Sequence, residues 1–229
     1  MLSDRSSEWF VPKFGPQGFR KGIGMLYLPY TAIVTCFAAL GAMIEPLEIE
    51  RIIAISLIYF LALGISAHLL DAIGGKTKPW GILPKRKIWA VALGILGIAF
   101  SIGIFYAILD SPLLFPIGIM EGFFLFAYNL ELFEGKFHNK KSTVFSWGVL
   151  PVFAGSAIQS NSISFETIII SAIGALLTYI LITNSRPYKI LKQTNSDNKE
   201  VRKREIILKL LSIGVIFGTI SFFMIKYFF

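Results

Sequence analysis

Two short polar stretches of the 229-residue chain hold the side chains whose types and spacing suit chemistry. The first is AHLLDAIGGK, in which His68 and Asp71 stand three residues apart. The second is YNLELFEGKFH, residues 128–138. Each stretch closes an apolar run, turns at glycine and is followed by lysine. Because residues three apart on a helix share one face, each stretch predicts a polar patch at a helix end.

The second stretch repeats polar side chains at steps of three, namely Tyr128, Glu131 and Glu134. If the helix continues, His138 lies one turn beyond Glu134, and Asn129 points about 100° away from Tyr128. Carboxylates are hard oxygen ligands that suit Mg²⁺, an ion that also bridges to substrate phosphates. Two carboxylate clusters that face each other would hold a diphosphate through Mg²⁺, while lysines behind them take up leaving-group charge.

A plainer interpretation explains the same residues. His68 and Asp71 also suit the last turn of a membrane helix that touches lipid head groups. Glu131 and Glu134 also suit exposed acids that pair with a nearby lysine such as Lys136, and such surface pairs contribute little to stability. The spacing alone leaves both interpretations open.

The elements that position these stretches are membrane helices. The chain is 55% hydrophobic and only 16% charged, whereas a soluble domain has about 25% charged residues. Since roughly 20 apolar residues span a bilayer, seven stretches qualify. They cover residues 22–44, 50–71, 88–109, 112–133, 143–159, 165–184 and 206–228. The sequence therefore predicts an all-α, polytopic transmembrane bundle that forms a single integral membrane domain over residues 1–229.

The basic residues predict the orientation of this bundle. Of the 22 Lys and Arg residues, all but Arg51 and Lys226 fall on one side, in the N-terminus, in loops or, for Lys209, in the first turn of the last predicted helix. Because Lys and Arg accumulate on the cytoplasmic side, we expect a cytoplasmic N-terminus and an external C-terminus. Residues 1–21 are expected to form a cytoplasmic interfacial segment, and residues 185–205 a cytoplasmic loop. This topology explains the net charge of +8, so no nucleic-acid partner is expected.

Two further features lie inside the predicted helices. Glu121 stands near the middle of the fourth helix, where an ionised group costs at least a few kcal/mol. We expect it to be neutral, or hydrogen-bonded to a hydroxyl such as that of Tyr106 or Ser101. GxxxG spacing at residues 118–122 and 214–218 permits close helix approach, and ordinary packing explains it better than a dimer face.

The order of these stretches resembles the UbiA-type superfamily of intramembrane prenyltransferases. The resemblance begins at LYLPYTAIVTCFAALGA, which is similar to the family's first helix. It continues through AHLLDAIGGKTKPWGILPKRKI, at the place of the first aspartate-rich motif, and YNLELFEGKFHNKKSTVFSWGVLPVFAG, at the place of the second. The resemblance implies a helical bundle whose two motifs bind Mg²⁺ and a prenyl diphosphate at the cytoplasmic ends of two helices.

The resemblance also implies roles for individual residues. Asp71, Glu131 and Glu134 are the expected Mg²⁺ ligands. Catalysis is expected at Asp71, Glu131 and Tyr128. Contacts to the substrate are expected at six further positions: His68, Lys76, Lys78, Asn129, Lys136 and His138.

The implied reaction is Mg²⁺-dependent transfer of a prenyl group from an allylic diphosphate to a lipophilic acceptor, either aromatic or lipid. The first motif departs from the family pattern, because Asp71 is its one clear aspartate and Gly75 stands where the last would be. Two alternatives therefore stay open. One is terpene cyclisation on the same fold, and the other is a catalytically degenerate membrane protein that acts in binding or assembly.

Overall fold

The computed structural model describes residues 5, 7–44, 48–74, 80–81, 83–194 and 198–228. Every regular element within these ranges is helical, as the sequence predicts. Lys76 and Lys78, which were expected to contact a diphosphate, lie outside the described residues.

The helices follow the predicted apolar stretches, and three of these stretches are broken into consecutive pieces. In chain order the elements are α1 Gln17–Met25, α2 Leu28–Ile44, α3 Ile49–Tyr59, a π-helical segment Phe60–Ser66, α4 Ala67–Gly74, α5 Lys85–Leu109, α6 Leu114–Asn129, a 3₁₀ turn Phe133–Gly135, α7 Lys140–Val144, a second π-helical segment Phe145–Val149, α8 Leu150–Ser160, α9 Phe165–Thr194 and α10 Lys199–Phe228.

Among the described residues, five helical stretches are long and apolar enough to cross a membrane, which makes this chain a membrane protein. They cover residues 17–44, 49–74, 85–109, 165–194 and 199–228. Helix α6 is apolar but has only 16 residues, a length of about 24 Å against a hydrocarbon core of about 30 Å. The prediction of several membrane helices is confirmed, whereas the number of seven crossings stays a prediction.

Helix α2 forms the centre of the bundle, where it packs against α3, α8, α9 and α10. Its closest neighbour is α8, because two glycines let the backbones touch. A Cβ added at Gly41 would lie 2.1 Å from the carbonyl oxygen of Val152, and one added at Gly155 would lie 2.1 Å from that of Ala38. By contrast, Gly214 has no atom within 4 Å of such a Cβ. The close approach therefore uses glycines outside the GxxxG spacings.

The segment 185–205 was predicted to be a loop, and this prediction is wrong for residues 185–194 and 199–205, while residues 195–197 lie outside the described part of the chain. Helix α9 continues to Thr194 and α10 begins at Lys199. Proline at position 187 has no N–H to offer the carbonyl of Thr183, four residues earlier. The guanidinium of Arg204 on α10 donates to that carbonyl at 3.4 Å, so the neighbouring helix supplies the missing bond.

The hydroxyl partner of Glu121 also differs from the expected ones. Tyr59 on α3 donates to Glu121 Oε1 at 3.0 Å. Tyr106 instead donates to Glu50 at 2.8 Å, and Ser101 bonds within its own helix. The reason lies in the packing of the helices, because the side of α6 that carries Glu121 faces Tyr59 on α3.

The two basic residues that the sequence places apart from the others lie at one end of the bundle, which we call the Arg51 end. Arg51 forms a two-pronged ion pair with Asp110 at 2.9 and 2.6 Å and also donates to the carbonyl of Ile158. The hydrogen bonds from Arg51 and Ser111 hold the pKa of the Asp110 carboxyl below its usual range. Lys226 donates to the last carbonyls of α2 at 2.6 and 2.8 Å. Both cations thus bind groups at helix ends.

Candidate functional site

The opposite end of the bundle, which we call the His68 end, contains the two polar stretches. Helix α4 finishes at Gly74 beside the end of α6, since a Cβ added at Gly74 would lie 2.6 Å from the carbonyl oxygen of Asn129. The side chain of a larger residue would collide with the α6 backbone there. The packing of these two helix ends brings the two stretches next to each other.

His68 points into the bundle from α4. Its side chain is 7% exposed, and its ring lies 4.6 Å from the ring of Tyr27 and 5.9 Å, edge-on, from that of Trp147. The Nε2 atom is buried and has no hydrogen-bond partner among the described residues. A buried polar atom without a partner costs about 1–3 kcal/mol. Nε2 of His68 is therefore a candidate position for contact with a ligand.

Tyr27 is the centre of the His68 end. It lies at the break between α1 and α2, where its φ of 46° is unusual for a residue with a side chain. The Arg5 guanidinium donates a hydrogen bond to the Tyr27 hydroxyl and lies 5.3 Å from the ring centroid. The ammonium of Lys189 on α9 lies 5.4 Å from the same centroid. Two cations thus share one aromatic ring, an arrangement that the electron-rich ring face stabilises.

Asp71 lies one helical turn after His68 and is half-buried. Its carboxylate acts electrostatically on Arg5, Tyr27 and Lys189. The charged groups near Asp71 are therefore the cations Arg5 and Lys189, whose positive charge balances this carboxylate.

The described part of the N-terminal segment, residues 5 and 7–16, lies over this end of the bundle. Glu8 is 3% exposed and pairs with Arg5 at 3.3 Å. Burial raises the pKa of the Glu8 carboxyl, and the charge of Arg5 opposes that rise. The ring of Phe10 packs 5.2 Å from that of Tyr27. The segment closes over the site as a cap.

This cap partly corrects the prediction for residues 1–21. Phe14 and Phe19 are exposed, at 73% and 46%, as expected for side chains that lie in a membrane interface. Trp9 and Phe10 instead pack against Tyr30 in the bundle. Of the four aromatic residues in this segment, two therefore pack inside the protein and two are exposed at its surface.

The second stretch does not form the predicted helical stripe. Helix α6 ends at Asn129, and the chain then turns with positive φ at Glu131, Phe133 and Glu134. Left-handed residues end an α-helix because they break its repeating hydrogen bonds. Glu134 is exposed, so it does not continue the face of Tyr128.

Tyr128 and His138 nevertheless meet, because the turn brings the chain back. Their rings stack at 4.2 Å, and His138 Nδ1 lies 3.0 Å from the Tyr128 carbonyl oxygen. Arg186 on α9 donates to the Tyr128 hydroxyl at 3.1 Å. The amide of Asn129 is used differently, since it donates to the carbonyl of Leu125 at 2.7 Å. Arg186 adds a third cation to this end of the bundle.

The expected Mg²⁺ ligands are Asp71, Glu131 and Glu134. Within the described ranges, no three His, Cys, Asp or Glu side chains come close enough to hold one ion. Glu131 and Glu134 lie on a turn, and Asp71 faces cations. Lys136 is exposed. The roles of Asp71, Glu131 and Glu134 as metal ligands stay predictions.

Four residues of the His68 end carry no motif in the sequence: Arg5, Tyr27, Trp147 and Lys189. Arg5 and Lys189 belong to the basic residues that accumulate on one side of the membrane, so their presence in the sequence does not by itself indicate a binding site. Proline at position 29 marks the start of α2 and indicates a break near Tyr27, but not its contacts. Comparison of the chain with models of protein families, with characterised proteins and with solved structures gives no match.

Proposed function

We propose that this membrane protein binds the anionic head group of an isoprenoid diphosphate at the His68 end, as a UbiA-like protein. The observation that carries the proposal is the buried Nε2 atom of His68, which has no partner in the described part of the chain. It lies beside the ring that Arg5 and Lys189 flank. A phosphate oxygen accepts hydrogen bonds from all three side-chain types.

The charge of the site supports an anionic ligand. Lys189 and Arg186 both come from α9, one near Tyr27 and the other bonded to Tyr128. Arg5 comes from the cap. A diphosphate needs several donors that are already in place, since ordering flexible side chains costs free energy. Contact with the Tyr27 ring limits the movement of Arg5 and Lys189.

The hydrocarbon part of such a ligand requires an apolar surrounding. Below the His68 end the outer faces of α9 and α10 expose large apolar side chains, for example Leu176 and Phe217. An isoprenoid chain therefore extends from the site into the bilayer while its head group stays at the end of the bundle. An isoprenoid diphosphate suits both environments, because its head group is anionic and its chain is apolar.

Transfer of the prenyl group to a lipophilic acceptor is the second candidate. The observation that favours it is the same group of cations, because positive charge stabilises a departing diphosphate. Terpene cyclisation would use the same departure without an acceptor. Binding is the first candidate, because the unpartnered Nε2 of His68 and the cations beside it bear on the head group and give no information on an acceptor.

The proposal is tested with the full-length protein in lipid nanodiscs. We expect farnesyl diphosphate to bind in the presence of EDTA, and farnesol, which lacks the anionic head, to bind at least tenfold more weakly. Lys189→Gln should weaken binding of the diphosphate about tenfold, because a charge-assisted hydrogen bond contributes roughly 1.5–3 kcal/mol. Binding is measured by equilibrium titration with labelled ligand.

The matched control is Lys203→Gln, which removes the same charge from an exposed position on α10. It should leave the affinity unchanged. Equal weakening by both variants would show attraction by overall charge and would contradict the proposed site. Release of pyrophosphate in Mg²⁺ with an aromatic acceptor would favour transfer, and release with a cyclic product and no acceptor would favour cyclisation.

A further inference from the structure

A cavity of about 230 Å³ lies between α5, α6 and the helix formed by α3 and the π-helical segment that follows it. It is separate from the His68 end. It is larger than the ~150 Å³ cavity that holds benzene in an engineered protein core. Its lining is apolar except for two side chains of the described residues, Tyr59 and Glu121. The volume and the lining suit a small lipid-soluble molecule.

Glycines create part of this space. A Cβ added at Gly103 would come no closer than 3.9 Å to another atom, and one at Gly118 no closer than 4.0 Å. These glycines therefore face open volume and are not needed for helix contact. Ile104, Phe115 and Ile119 also line the cavity and are 43–72% exposed, which places its opening on the outer face of the bundle.

The carboxyl of Glu121 supplies one polar position in the cavity. Its Oε1 atom accepts the hydrogen bond from Tyr59 at 3.0 Å. Its Oε2 atom is buried and has no partner within the described ranges. An ionised carboxylate at this depth costs at least a few kcal/mol, so the neutral acid is the stable form. Because Oε1 already accepts a hydrogen bond, Oε2 carries the proton and is the donor.

A water molecule fits this position poorly. A buried water forms about three hydrogen bonds. Among the described residues that line the cavity, only Tyr59 and Glu121 have polar side chains, and these two are already bonded to each other. The remaining lining residues have no polar side-chain atoms. The free donor is therefore matched by a ligand that brings one acceptor and is otherwise hydrocarbon.

We propose that this cavity binds a small, neutral, lipid-soluble carbonyl compound, whose oxygen accepts a hydrogen bond from Glu121 Oε2. The molecule enters from the bilayer between α5 and α6. The carbonyl sets its orientation, and the hydrocarbon part fills the volume beside Gly103 and Gly118. This site is separate from the one at the His68 end and does not depend on the function proposed there.

The test uses methylheptenone, an eight-carbon ketone with an isoprenoid skeleton, and the alkene of the same skeleton without the carbonyl. Full-length protein in nanodiscs is titrated with each labelled compound, and binding to empty nanodiscs is subtracted. We expect the ketone to bind saturably and its carbonyl infrared band to shift to lower frequency. The shift reports the hydrogen bond directly.

Three variants make the test specific. Glu121→Gln keeps a donor and should retain ketone binding, whereas Glu121→Leu should weaken it about tenfold, the loss of one hydrogen bond. The alkene should bind equally to the wild type and to Glu121→Leu. Gly103→Leu fills the cavity and should abolish binding of both compounds.

Stability controls separate loss of binding from loss of fold. The thermal unfolding midpoints of Glu121→Gln and Gly103→Leu should stay within a few degrees of the wild type, because glutamine keeps an acceptor for Tyr59 and Gly103 has room for a side chain. Glu121→Leu leaves the Tyr59 hydroxyl without this acceptor and should have a lower midpoint, so unchanged binding of the alkene reports that its cavity is intact. Ketone binding to Glu121→Leu with wild-type affinity and an unshifted carbonyl band would overturn the proposal. Retained binding in Gly103→Leu would overturn the location.

Discussion

Single residues in this bundle satisfy polar groups that the helices leave open. Arg51 binds the carbonyl of Ile158 at the end of α8, and Arg204 binds the carbonyl that the proline at position 187 leaves without a donor. A buried carbonyl without a donor is costly, so each arginine acts as a partner for the backbone of another helix. His68 is different, because its Nε2 atom has no partner among the residues described. That contrast favours a binding role for His68.

The contact between Arg204 and Thr183 predicts an interaction between two mutations. Arg204→Met should lower the free energy of unfolding by about 1–2 kcal/mol, because the Thr183 carbonyl loses its donor. Pro187→Ala restores a backbone N–H at that position and should make the same arginine substitution less harmful. Unfolding of the four proteins in mixed detergent measures the coupling. Strictly additive effects would show that Arg204 does not replace the missing backbone bond.

At the scale of elements, two π-helical segments position the His68 end. The first ends at Ser66, two residues before His68, and the second contains Trp147. The extra residue in a π turn changes the direction of the following side chains, and such turns occur frequently at functional sites. Gly64 in the first segment approaches Thr31, and Gly148 in the second approaches the backbone of Gly174. Small residues thus let neighbouring helices pack against the irregular turns.

The contact between α2 and α8 predicts which glycine tolerates a side chain. Gly41→Ala should destabilise the protein by about 3 kcal/mol, since its Cβ would overlap a backbone carbonyl that cannot move alone. Gly214→Ala is the matched control, because a Cβ there meets nothing within 4 Å. It should be neutral or stabilise the protein by about 0.5–1 kcal/mol. Unfolding of both variants in mixed detergent distinguishes the positions; similar stabilities would contradict the close packing.

At the scale of the whole molecule, charge and polar contacts are divided between the two ends. The His68 end holds the N-terminal cap and the basic extensions of α9 and α10. At the other end Arg51 and Lys226 bind acidic and carbonyl groups. Because positive charge is retained on the cytoplasmic side, we propose that the His68 end faces the cytoplasm.

This orientation is tested by labelling single cysteines in intact cells. In a background that carries Cys36→Ala, a membrane-impermeant maleimide should label Ser162→Cys at the Arg51 end. It should label Lys203→Cys only after the membrane is opened. Both positions are exposed, so accessibility differs only through the side of the membrane. The reverse pattern would contradict the proposed orientation.

The sequence by itself determined that the chain is a helical membrane protein, because apolar stretches of spanning length and clustered basic residues are local properties. It also brought out His68 and Asp71 through their spacing on one helix. The stripe of Tyr128, Glu131 and Glu134 was wrong, because α6 ends at Asn129 and the chain then turns with positive φ at Glu131 and Glu134, which the repeat of residues does not reveal.

Only the tertiary structure decided which residues meet. Arg5 and Lys189 come from distant parts of the chain and share the Tyr27 ring, while Glu121 finds Tyr59 on another helix. Composition and spacing describe one helix at a time, so they cannot identify partners on different helices. The cavity beside Glu121 has the same origin, since its volume depends on how three helices fit together.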